Sequence, residues 1–313
     1  MKKWLLSVLM SVSAVGLFAQ GEPLKVSIGG YVNRIEELSL ENGFASVDLW
    51  LWTNWTGGRD AMVKHLEISN GEVFGTRIDF ARDDSGKLYN AARVQARVFC
   101  NFDLKDYPFD RQKVVISIED TDMISKQLQF VPDSDSCGID PDYQPACWQI
   151  TGFETSVDTH TYNTDFGDPV ADGPHGEYSR FNMTISLERP GGFWFKIFKY
   201  FGIVLISVAL AAAALLVRID NLGARFAMLG GALAVNMIGL FALIYRIPQW
   251  SGITIAELVT YLSLGFVLLF VLQSIISLNM REMISPTMAR RFDRAGFLAL
   301  LTLYVATLGL MLA

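Results

Sequence analysis

Between Leu24 and Leu187 apolar and polar residues alternate in short runs broken by turn residues. A period of two is the mark of a strand with one face buried. Leu24–Val32, Ala45–Trp55, Arg93–Phe102, Lys113–Ile118, Trp148–Tyr162 and Glu177–Leu187 each carry it. In the second run Val47, Leu49, Leu51 and Thr53 share one face, and Asp48, Trp50, Trp52 and Asn54 the other. Asn70-Gly71, Asp84-Ser85-Gly86 and Asp172-Gly173-Pro174 mark turns or loops. No helical period of useful length occurs there. About ten strands in about 170 residues predict a single antiparallel β-sandwich.

The pattern then changes. Ile197–Val217, Phe226–Tyr245, Leu258–Met280 and Ala295–Ala313 are apolar stretches of 19 to 23 residues, uncharged apart from Lys199 near the start of the first. Each is long enough to cross a bilayer as a helix. Arg218 and Arg225 flank the first connection, and Arg281, Arg290, Arg291 and Arg294 crowd the third. Arg246 in the second is offset by Glu257. The positive-inside rule puts connections one and three in the cytoplasm, with the sandwich and the C-terminus outside. The predicted fold is a β-sandwich ectodomain over residues 20–192 and a four-helix membrane bundle over 193–313.

Composition sharpens the division. Hydrophobic residues make up 51% of the 313 and charged residues 19%, with mean hydropathy +0.30. Residues 20–192 hold 15 Lys+Arg against 28 Asp+Glu, a net of −13; residues 193–313 hold 9 against 4, a net of +5. So acidic an ectodomain argues against nucleic acid as a partner. Met1-Lys2-Lys3 followed by apolar Trp4–Phe18 and small residues reads as an export signal ending near Ala19, against a retained anchor. Export implies an oxidising compartment and, with the four spans, an inner-membrane location. There Cys137 and Cys147 are expected to bridge the loop between them, leaving Cys100 unpaired. The histidines are His65, His160 and His175. They support neither a zinc centre nor a Ser-His-Asp site, and no enzyme activity is expected. Asp133, Asp135, Asp140 and Asp142 cluster without EF-hand spacing. They read as a solvated acidic loop or a weak calcium site; no other cofactor is expected.

The segment Cys100, Asp103, Tyr107, Pro108, Phe109, Asp110 and Gln112 resembles the signature loop of Cys-loop receptors, the pentameric ligand-gated ion channels. The second cysteine of that loop would fall at Val114, so the resemblance is to bacterial members that lack it. It extends to Trp50 and Trp55, to Arg189 before the first span, to Leu222-Gly223-Ala224-Arg225 and to Pro248. Two departures are Phe201, where the family has proline, and Ala234, where many members have a pore leucine.

The resemblance implies a homopentamer in a lipid bilayer, opened by a small-molecule or ionic agonist; a non-conducting receptor or scaffold of the same architecture is the alternative. It implies a pore lined by the second span. There Ala227, Gly231, Ala234, Ile238, Phe241 and Tyr245 form one face, with Asp220 and Arg225 at the inner mouth. Agonist candidates are Trp50, Trp52, Arg93, Tyr162, Phe166 and Tyr178. Glu37, Asp110, Arg189 and Pro248 are placed where ectodomain and pore meet.

Overall fold

A computed structural model describes residues 22–57, 62–84, 86–164, 176–248 and 252–312, with 78–84 as backbone only. The export signal and Phe166 lie outside them.

Among the described residues ten strands form two sheets. They are β1 (Leu24–Ser39), β2 (Phe44–Thr56), β3 (Leu66–Ile68), β4 (Gly71–Asp84), β5 (Lys87–Phe99), β6 (Arg111–Asp120), β7 (Leu128–Pro132), β8 (Gly138–Ile139), β9 (Gln149–Tyr162) and β10 (Gly176–Glu188). One sheet runs β4-β5-β2-β1-β7, with β8 also on β1; the other runs β3-β6-β10-β9. The expected alternation governs the packing. Val47, Leu49, Leu51 and Trp55 of β2 meet Ile116, Ile118, Phe181, Met183 and Ile185 of the second sheet in one core. Burying a side chain of this size stabilises by about 1.5–3 kcal/mol before the entropy of ordering it. The sandwich is not wholly antiparallel. β7 and β8 lie parallel to β1, because the chain leaves β6 in one sheet and returns along the edge of the other.

Four helices follow among the described residues: α1 (Phe193–Ala214), α2 (Leu222–Ile244), α3 (Ile255–Met283) and α4 (Pro286–Leu312). All four are long and apolar enough to cross a membrane. Around Phe201, where the resemblance expects proline, α1 makes a π turn over Ile197–Phe201. Asn221 caps α2 by accepting from Ala224 N–H, and Thr254 with Glu257 forms a capping box on α3. The connection from α3 to α4 is far shorter than the uncharged stretches suggest. Ser285 Oγ accepts from Met288 N–H and Pro286 occupies the first helical position, so α4 begins nine residues ahead of its apolar run.

The two layers meet through the loop that follows β5. The amides of Ile255 and Ala256, in the first turn of α3, have no intrahelical acceptors and donate instead to the carbonyls of Lys105 (2.8 Å) and Tyr107 (3.1 Å). Tyr107 is buried among Ile197, Phe201, Val204, Leu243, Ile247 and Val259. The loop is therefore a plug seated in the helix bundle.

Candidate functional site

Asp110 and Arg189 meet at this junction. Arg189 Nε donates to Asp110 Oδ1 at 2.7 Å and Nη2 to Oδ2 at 3.4 Å. Gln112 Nε2 donates to the same carboxylate at 2.7 Å, and to Asp103 O at 2.7 Å. The Asp110 side chain is fully buried and that of Arg189 is 11% exposed. The guanidinium lies between two rings, 4.6 Å from Tyr107 and 4.5 Å from Trp148. Burial pulls the Arg189 pKa down, but the hydrogen bond and charge of Asp110 outweigh it and raise the pKa overall. Pro248 is buried just beyond Ile247, which packs on the Tyr107 side chain. Glu37 is not part of this assembly. Bulges shift β1 twice, at Val32/Arg34 and Ile35/Glu37, and Glu37 ends up exposed opposite Ser46, without an ion pair among the described residues.

The agonist candidates fall into two groups on different sheets. Trp50, Trp52 and Arg93 sit on the outer face of the β1–β2–β5 sheet, with Arg93 directly across from Trp50. Arg93 already holds a carboxylate of the chain: its Nε and Nη2 grip Asp48 at 2.9 and 2.6 Å. Asn33 donates to the same carboxylate at 3.1 Å and Arg34 lies at 3.4 Å. The Arg93 hydrogen bonds, above all, hold the Asp48 carboxyl below its ordinary pKa against the opposing effect of burial. Trp52 donates from Nε1 to Asp133 Oδ2 at 3.0 Å. Its ring covers Gly29, where a Cβ would come within 2.5 Å of the indole, so the position tolerates only glycine.

Tyr162 and Tyr178 form the second group, edge to face at 5.7 Å on the outer surface of the β9–β10 pair, with His160 4.5 Å from Tyr162. Sequence reasoning missed what lies beside them. Tyr162 Oη donates to Glu119 Oε2 at 2.8 Å, and Arg180 Nε donates to Glu119 Oε1. Glu67 on β3 pairs across the ladder with Glu119, and burial, with Glu119 and Asp120 nearby, raises its pKa. Carboxylates opposite each other on a ladder repel. The alternation of β6 and β10 placed Glu119 and Arg180 on this outer face; only the register β6-β10-β9 joins them to Tyr162.

Cys137 and Cys147 are free thiols in place of the expected disulfide. Cys137 turns toward the sheet, where its Sγ accepts from Gly30 N–H at 3.3 Å, whereas Cys147 is exposed on backbone with φ of 66°. The acidic loop around them is tied down locally. Asp133 accepts from Trp52 and Ser136, Asp140 accepts from the Asp142 amide, and Tyr143 Oη donates to Ile35 O. Asp135 and Asp142 are exposed. Among the described residues no three His, Cys, Asp or Glu side chains gather as a metal site.

On α2 the face expected to line a pore is the one its own chain leaves uncovered. Ala227, Ala234, Ile238, Phe241 and Tyr245 are exposed, with Gly230 rather than the half-buried Gly231 on the same stripe. The opposite stripe, Arg225, Leu229, Ala232, Asn236, Gly239 and Leu243, is buried against the other helices. Arg225 is therefore directed into the bundle, away from the uncovered face. Its guanidinium grips Asp293 of α4 at 2.9 and 2.7 Å, and its Nε donates to Ser274 of α3 at 3.1 Å. Asp220, the other residue expected at the mouth, sits in the α1–α2 connection. It is shared by Arg281 at 3.0 Å, Arg218 at 3.5 Å and Arg290 at 3.7 Å.

No protein-family model matches the chain, and no curated protein matches it.

Proposed function

We propose that the chain is one subunit of a ring-shaped ligand-gated ion channel, five copies to the ring, in which α2 lines the pathway. The uncovered face of α2 carries this reading. A membrane helix that packs one stripe and leaves the other bare meets lipid, protein or water along the bare one, and a ring turns that stripe of α2 toward its centre. Ions cross hydrocarbon only where several helices shield them. Repetition of one chain about an axis places that bare stripe around a common centre. The stripe runs from small residues (Ala227, Gly230, Ala234) to bulky ones (Ile238, Phe241, Tyr245) toward the sandwich, and the bulky rings close the pathway by dewetting.

The agonist is a small organic amine. Glu119 beside Tyr162, with Glu67 across the ladder from it, supplies carboxylate in excess of the cation there, Arg180, and an amine favours both acidic groups and ring faces. The Trp50 surface lies on the opposite side of the sandwich, so it faces such a site only from a neighbouring subunit. Binding reaches α2 and α3 through the Tyr107 plug and the Asp110–Arg189 pair.

Reconstitution of the full chain in vesicles tests this. Primary alkylamines should evoke stepwise currents that matched alcohols do not, and Glu67→Gln should weaken the amine response. Assembled protein that passes no current under any amine, acid, pH or calcium condition points to a non-conducting receptor and overturns the channel reading.

A further inference from the structure

The pair between Arg225 and Asp293 gives the inner end of α2 a different role from the one its position in the sequence suggests. The 200° between Arg225 and Ala227 on a helix of 3.6 residues per turn puts them on opposite sides. Arg225 is fully buried, and Asp293 nearly so. Three helices contribute: the guanidinium from α2, the carboxylate from α4, and Ser274 Oγ from α3, which accepts from Nε. The fork-to-carboxylate geometry matches both donors to both acceptors, the arrangement in which arginine is not replaceable by a point charge. Among the described residues these are the only side-chain hydrogen bonds between α2 and α4.

From this geometry we infer that Arg225 is a positioning residue: it locks the rotation and height of α2 against α4 at the end farthest from the sandwich, and presents no charge to the pathway. The inference rests on the channel reading only for the second half of that statement. Its immediate consequence is that the uncovered stripe of α2, from Ala227 to Tyr245, carries no formal charge. Whatever charge preference the pathway has arises outside α2. The exposed charge closest to it in sequence is Arg246, next to Tyr245, with Arg218 and Asp220 before the other end.

The test uses full-length protein and two readouts. In detergent, the thermal midpoints of Arg225→Gln, Asp293→Asn and the double variant form a cycle, and Arg225→Met with Asp293→Leu replaces the pair by apolar side chains. Each single change should lower the midpoint sharply, and both paired variants should recover at least half of the loss, since the destabilisation comes from a buried charge left alone. Additive losses would overturn the clasp. If a single variant gives no folded protein, Arg225→Lys, which keeps the charge without the fork, takes its place and should fall between wild type and the Asp293→Asn protein. In vesicles with a tenfold salt gradient, the reversal potential of butylamine-evoked current should be the same in wild type and in every conducting variant of the pair. A shift produced by Arg225→Gln but not by Asp293→Asn would show the charge facing the pathway, and would reject the inference. Wild-type protein without current rejects the channel reading alone, and the thermal cycle still decides the clasp.

Discussion

Removing Arg189 should be among the most damaging single changes at the junction. The perturbation leaves the fully buried Asp110 carboxylate with Gln112 as its remaining side-chain donor. Stripping one partner from a buried ion pair costs about 3–5 kcal/mol, against about 0–1 for an exposed pair. With the side chain 11% exposed, the pair belongs to the first class. The guanidinium also loses two ring contacts, at 4.6 Å to Tyr107 and 4.5 Å to Trp148, each adding about 0.5–2 kcal/mol. These terms overlap, so about 4 kcal/mol is the expected loss for Arg189→Ala, and Asp110→Ala should lose nearly as much. Arg189→Lys should recover less than half, because an ammonium neither forks onto both oxygens nor stacks between rings. Denaturant midpoints of the detergent-solubilised chain in a double-mutant cycle measure the coupling, expected at about 2 kcal/mol or more. Losses that add to within about 0.5 kcal/mol would refute the coupling, whatever their size. Glu37→Gln, at an exposed position away from the pair, should change stability by no more than about 0.5 kcal/mol.

Three further outcomes are expected. Phe241→Ser replaces a bulky side chain on the bare stripe of α2 with a small hydroxyl, and should raise resting leak through vesicles; an unchanged leak would count against closure at that ring. The Asp48 carboxyl is held below its ordinary pKa in the folded chain, so the stability it contributes is present above the unfolded value of about 3.9 and is lost as pH falls below it. Asp48→Asn should thus lower stability at neutral pH and flatten the acid limb of the stability curve, and an identical acid limb in both proteins would exclude this role. Maleimide labelling of the native protein should modify the exposed Cys147 quickly and the half-buried Cys137 slowly, whereas a disulfide-linked peptide under non-reducing mapping would contradict the two free thiols.

What alternation alone can convey is which face of a strand is buried, and there the reading of β2 agrees with the structure residue by residue. Val47, Leu49 and Leu51 face the core and Asp48, Trp50 and Trp52 do not. Alternation says nothing about which strand lies alongside. Asp48 and Arg93 each read as an outward polar residue, and only the β2–β5 register turns them into a closed pair that takes Arg93 away from a ligand. The same holds for Glu119, Arg180 and Tyr162, which come from three strands. β7 and β8, with five and two residues, are too short to show a period, and their parallel pairing to β1 depends on a connection between sheets. The Asp110–Arg189 contact was accessible for a different reason: the family resemblance places both residues where ectodomain and helices meet, Asp110 at the end of a turn and Arg189 just before the first span.

Arg225 is the instructive error, because the information needed was present in the helical spacing. Once Ala227, Ala234, Ile238, Phe241 and Tyr245 are set on one face, Arg225 belongs with Leu229, Ala232, Asn236, Gly239 and Leu243 on the other. A charge at the end of an apolar run reads as an anchor or as a mouth residue, both of which place it in water. The third possibility, a charge directed into the bundle, requires a buried partner, and an acidic residue stood ready in Asp293 among the arginines before the last apolar run. Asp293 lies outside the apolar run that begins at Ala295, so hydropathy alone gives it no place in the bundle. With Ser285 and Pro286 taken as cap and first helical residue, Asp293 lies two turns inside the helix, where an unpaired carboxylate would be costly. A buried acid on one helix and a buried base on another, each expensive alone, then define each other as partners before any coordinate is seen.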